Sequence, residues 1–243
     1  MNDDFYIGYR KVAPLALARF VRVVSGVLIL TVVAIAGIIG ALQQPADLGS
    51  YDFGETSLFL VTLVRDPMLL GLDDDPEQTN GRAVLIVGRG KHGPPAFVDD
   101  GMNTDIGFTG SVVERDGVRM LEVGVEVEFA LREEGRYEIK RHSVGDVMLE
   151  GELIDTKCFL GVMKPGHGKV HRGCAALCLR GGVPPGLAIR DHHGSTKVIV
   201  LNARSADAPA IDPEWAGRIL RVSGSLEYFS GLPILRVSDI VLK

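Results

Sequence analysis

The chain has 243 residues, which is room for one or two globular domains, and a formal charge of −5. An acidic chain with only 6% aromatic residues lacks both the basic groove and the stacking platform of a nucleic-acid binder, so no nucleic-acid partner is expected. Thirty glycines and twelve prolines favour short strands and turns over long soluble helices, and aliphatic residues run through the whole chain, which excludes disorder.

Residues 1–22 read as a cytoplasmic tail whose Phe5, Tyr6 and Tyr9 suit a membrane–water interface. Val23 to Leu42 follows, VVSGVLILTVVAIAGIIGAL, with no charged residue. Twenty helical residues rise ~30 Å, about the thickness of a bilayer's hydrocarbon core. A cleaved signal peptide has a shorter apolar core and a small-x-small cleavage site, which Gly40-Ala-Leu-Gln-Gln44 does not supply. The segment therefore reads as a retained single-pass anchor. Arg10, Lys11, Arg19 and Arg22 precede it, whereas Asp47, Asp52 and Glu55 follow. That bias keeps the N-terminus inside and sends the remainder out, into the periplasm of a bacterium. Ala36 and Gly40, four apart, let a second helix approach closely.

After a linker at 43–54 the pattern becomes β-rich, and it repeats. Gly110-Ser-Val-Val-Glu-Arg-Asp-Gly-Val-Arg-Met-Leu-Glu-Val123 aligns without gaps on Gly224-Ser-Leu-Glu-Tyr-Phe-Ser-Gly-Leu-Pro-Ile-Leu-Arg-Val237. Both read as hairpins that turn at Asp116-Gly117 and Ser230-Gly231. Leu58–Val64 and Val147–Ile154 form a second matching pair, and Ala83–Val87 and Lys197–Leu201 a third. The expected organisation is a first β domain at 55–130, a connector at 131–145 and a second β domain at 146–243. Each half resembles the oligonucleotide/oligosaccharide-binding (OB) fold, a small five-stranded Greek-key barrel. The predicted fold is thus mainly β, with one N-terminal transmembrane helix and two OB-like barrels. The run Cys158…His171-x-x-Cys174-Ala-x-x-Cys178…Gly182-x-Pro184 is similar to a pattern carried in such a barrel by membrane-anchored bacterial proteins, and this likeness implies no particular activity.

The halves differ in length at one place. Leu63 to Gly110 spans 47 positions and Leu153 to Gly224 spans 71, so the second half carries 24 more residues. Residues 158–181 hold every cysteine of the protein. Val170–Arg180 predicts a short helix stopped by Gly181-Gly182, which places His171, Cys174 and Cys178 on one face. Cys158 stands at the end of the preceding strand, within reach of a glycine-rich fold-back. Three thiolates and an imidazole make a tetrahedral set for one thiophilic ion, zinc first, with copper or iron as alternatives. A disulfide from Cys158 to Cys174 or Cys178 suits an oxidising compartment and leaves one odd thiol, and redox-active thiols are the third reading.

Weaker signals lie elsewhere. Gly88-Arg-Gly-Lys-His-Gly93 reads as a plain basic turn, short of a phosphate-binding loop. His192-His193 reads as a turn, and Asp73–Glu77 as a solvated linker without calcium-loop spacing. No nucleophile motif is present, so no catalytic residue is named. The expected function is that of a non-catalytic accessory subunit of a membrane complex, of electron-transfer or respiratory type. A metal-handling protein for copper or zinc and a thiol–disulfide protein are the alternatives.

Overall fold

The computed structural model describes residues 13–42 and 48–243, apart from 55–56, 66–67, 69, 76–77, 96–104, 133–136, 139, 191–194 and 206. The tail aromatics and His192-His193 fall outside these residues. So do the side chains of the acidic run beyond Asp73. The chain divides into two compact units at residues 46 and 47.

The first unit holds α1, Leu15–Leu42, a helix of 28 residues long and apolar enough to cross a membrane. It starts eight residues before the uncharged stretch, just after Pro14, because Leu-Ala-Leu-Ala-Arg favours helix and proline suits the first turn. Arg19 and Arg22 therefore lie on the helix rather than in a tail.

In the second unit, β1 (Ser50–Tyr51) is a short strap along β5. The strands β2 (Ser57–Val64), β3 (Leu70–Asp75), β4 (Gln78–Gly88), β5 (Asp105–Arg115) and β6 (Val118–Arg132) close one barrel. The strands β7 (Arg141–Asp155), β8 (Pro185–Arg190), β9 (Thr196–Asn202), β10 (Ile219–Phe229) and β11 (Leu232–Leu242) close another. In each, the third strand pairs parallel with the fifth, and the first pairs antiparallel with both second and fourth. That is the OB connectivity, built twice. β7 begins at Arg141, ahead of the expected boundary, because its N-terminal half extends along β10 as far as Phe229.

The aligned hairpins are built alike. Asp116 and Ser230 have φ of 52° and 43°, followed by Gly117 at 78° and Gly231 at 88°, the left-handed pair of a two-residue turn that follows strand twist. Gly110 pairs with Val123 and Gly224 with Val237, each next to a bulge. A Cβ at either glycine would collide with a carbonyl of the partner strand, Glu122 in one and Arg236 in the other. Gly224→Ala is expected to cost about 1–3 kcal/mol, read as a lowered thermal midpoint; an unchanged midpoint would show that the bulge opens freely.

Among the described residues, a small cluster of Ala175, Ala176 and Ala216 seats α2 (Arg172–Arg180), and three larger apolar clusters divide the interior. Val61, Leu63, Val84, Ile86, Phe108 and Leu121 fill the first barrel. Leu153, Leu187, Leu201, Leu220, Val222 and Leu235 fill the second. The third takes the opposite faces of the same strands, Leu70, Leu72, Leu85 and Val87 from one barrel with Val198, Val200, Phe229 and Ile234 from the other. Strands β4, β9 and β11 thus bury both faces, one inside the barrel and one between barrels. The barrels are packed on a shared core.

Candidate metal centre

The insertion enters at the first connection of the second barrel. Leu63 and its partner Gly71 are eight positions apart, whereas Leu153 and its partner Leu187 are thirty-four apart. This exceeds the sequence-based 24 by two because the later connections of the second barrel are slightly shorter. The added chain leaves β7 at Asp155, makes a tight π-turn at Cys158–Val162, folds back through 163–170 and enters α2, Arg172–Arg180. Gly166 permits the fold-back, since a Cβ there would collide with the carbonyl of Cys158. The helix starts two residues later than predicted, with His171 as its N-cap, and ends at Gly181 with Gly182 at φ 89°.

This local path gathers the cysteines and the histidine. Cys158, His171 and Cys174 present donor atoms that all lie within 4.8 Å of one another. Cys178 falls in a second such group with Asp155 and Cys158. The Cys158 and Cys178 sulfurs are 4.0 Å apart, close to the ~3.8 Å edge of a tetrahedron whose Zn–S bonds are ~2.3 Å. Cys158, Cys178 and His171 are buried, and Cys174 is half-buried at the rim. All three sulfurs are free thiols. The hydrogen bond shared with Cys178, then burial, pushes the Cys158 thiol up, and the same bond holds Cys178 below the ordinary thiol range.

Sequence reasoning passed over three residues. Asp155, fully buried, accepts the Cys158 backbone N–H at 2.8 Å through Oδ1, and its Oδ2 lies 3.2 Å from His171 Nε2. One carboxylate therefore orients two of the four candidate ligands, and with Nε2 engaged the imidazole keeps Nδ1 for a metal. Lys157 is 1% exposed and donates to the carbonyls of Gly88 at 2.8 Å and Gly90 at 2.7 Å, with Glu122 Oε2 at 3.0 Å. Glu122 also accepts from the Tyr51 hydroxyl; burial first, then the Glu122 charge and hydrogen bond, push Tyr51 up to about 12. Lys91, in the glycine-rich loop after β4, places Nζ 2.7 Å from Cys174 Sγ. That bond outweighs a smaller loss from burial and raises the Lys91 pKa. The loop turns at residues 90–91, and it is also docked: its Gly93 N–H donates to Gly181 at the end of α2.

The pattern was legible only in part. Asp155 looked like a strand end, and nothing local in the sequence ties Lys91 to a cysteine 83 positions away.

Fold and site together define a class: a tandem OB-type domain with a buried Cys/His/Asp cluster within metal-binding distance, preceded by a helix fit to span a membrane. No protein-family model, curated protein or solved structure matches the chain.

Proposed function

We propose that this chain is a non-catalytic, single-pass accessory subunit of a membrane complex, of electron-transfer or respiratory type, whose extracytoplasmic domain holds one thiophilic divalent ion. Zinc is the first candidate, with copper or iron as alternatives. Cys158, His171, Cys174 and Cys178 are the ligands, and Asp155 orients His171. The ion serves to close the joint between the barrels, and the resulting rigid surface meets the partner subunits.

The observation that carries the metal reading is the chemistry of the cluster. Cys158, His171 and Cys174 bring their donor atoms within 4.8 Å of one another, Cys178 and Asp155 form a second such group with Cys158, and a cation that displaces the thiol protons would be held by these donors in a mostly buried volume. Of the ammonium groups beside the insertion, Lys157 is committed to Glu122 and two carbonyls, and Lys91 stands against Cys174 at the rim. The site also lies where the insertion meets the shared core, since Cys158, Phe159 and Cys178 pack with residues of both barrels. Support for the orientation comes from the basic residues before the helix and the acidic ones after it.

A disulfide clip is the second reading, favoured by the Cys158–Cys178 contact. Elemental analysis with free-thiol counting on the detergent-solubilised native protein separates the two. About one equivalent of metal, lost in His171→Ala, is the expected result. No metal with a single free thiol would establish the clip instead. For the partner part, gentle solubilisation should release the chain within a larger assembly; a lone monomer would count against it.

A further inference from the structure

Three of the four proposed ligands are walled in by the insertion and the shared core, with Cys158 3%, Cys178 1% and His171 4% exposed. Cys174 alone stands at the rim, and what covers it comes from the other barrel. The loop Gly88–Gly93 is fastened at both ends. Lys157 donates to Gly88 and Gly90, the Gly88 N–H donates to Gly93 O at 2.8 Å, and the Gly93 N–H donates to Gly181 O at 2.8 Å. Between these fastenings the Lys91 carbonyl abuts Gly181 so closely that a Cβ there would collide. The Lys91 ammonium is thus held 2.7 Å from Cys174 Sγ by a braced backbone.

We infer that Lys91 is the counter-ion of the metal–thiolate centre and that its loop limits exchange of the ion. The inference rests on the metal reading above and names how that site is regulated. A divalent ion with three thiolates and a neutral imidazole keeps one surplus negative charge, and Asp155 adds to it nearby. Lys91 is the ammonium placed to offset that charge, at the one sulfur a chelator or competing ion can approach. A hydrogen bond to a bound thiolate also draws charge from the sulfur, which slows its displacement. Lys91 is therefore a positioning residue acting through Cys174, and the centre belongs to both barrels although all its ligands come from one.

The test uses the full chain in detergent, loaded with zinc or cobalt. Zinc transfer to a chromophoric chelator should run at least tenfold faster in Lys91→Met than in the native chain, while Lys91→Arg stays within about threefold, since arginine keeps the charge and the donor. The cobalt–thiolate absorption should weaken in Lys91→Met and recover in Lys91→Arg. If Lys91→Met does not fold, amine labelling of the native, metal-loaded protein decides: Lys91 should react several-fold more slowly than the exposed Lys243. Transfer at the native rate in Lys91→Met, or labelling of Lys91 as fast as of Lys243, would overturn the inference and leave the metal reading standing. A native protein that binds neither ion would overturn both.

Discussion

Stripping the metal with a strong chelator is expected to lower the melting temperature of the two-barrel unit by about 8–16 °C. A ligand present at a thousandfold excess over its dissociation constant contributes about 4 kcal/mol to the folded state, and for a domain of this size each kcal/mol moves the midpoint by about 2–4 °C. The proposed ligands belong to one insertion, yet the loss should be felt by both barrels. Cys158, Phe159, Leu160 and Cys178 are built into the same apolar cluster as Leu70, Leu85 and Val87 of the first barrel and Val200 and Ile234 of the second. Without the ion, the sulfurs return to the thiol form and no longer tie Cys158 to α2, so the insertion loosens inside that cluster. A single transition shifted downward is the predicted calorimetric trace. An unshifted trace would mean that the cluster is held by packing alone.

Lys157→Met should be nearly as damaging, by about 3–5 kcal/mol, because one partner of a buried pair is removed and the other stays charged. The ammonium is 1% exposed and reaches three acceptors, two of them carbonyls of the glycine-rich loop. Its loss leaves the Glu122 carboxylate with the Tyr51 hydroxyl and frees the loop that covers Cys174. Methionine fills the space of the aliphatic stem, so the change is electrostatic rather than a cavity. The double variant Lys157→Met, Glu122→Gln should regain part of the loss, since no buried charge is then left alone. A denaturant titration measures both; a single variant within about 1 kcal/mol of the native protein would show that the pair is dispensable.

Much of the architecture was legible because it depends on short-range patterning. The uncharged run before Leu42 marks the apolar helix, and the gapless match of Gly110–Val123 with Gly224–Val237 marks two hairpins with the same turn and the same bulge glycine. The helix register of His171, Cys174 and Cys178 likewise placed them on one element. What stayed hidden is long-range. Ala83–Val87 is apolar at every position, where a strand with one solvated face would alternate. Such a run belongs to a strand buried on both faces, so the packing of the two barrels had a sequence signal that hairpin matching did not use. Asp155 and Lys157 precede Cys158 so closely in sequence that only three dimensions separate their tasks, one facing His171 and the other the opposite barrel. Lys91 had no signal of its own, because its loop resembles any glycine-rich turn until α2 is docked against it.

X-ray absorption at the metal edge of the natively purified protein tests the central claim most directly. The cluster predicts one ion per chain with three sulfur neighbours at ~2.3 Å and one nitrogen at ~2.0–2.1 Å. A shell of oxygen and nitrogen alone, or no metal in a protein whose Cys158 and Cys178 are joined, would contradict it.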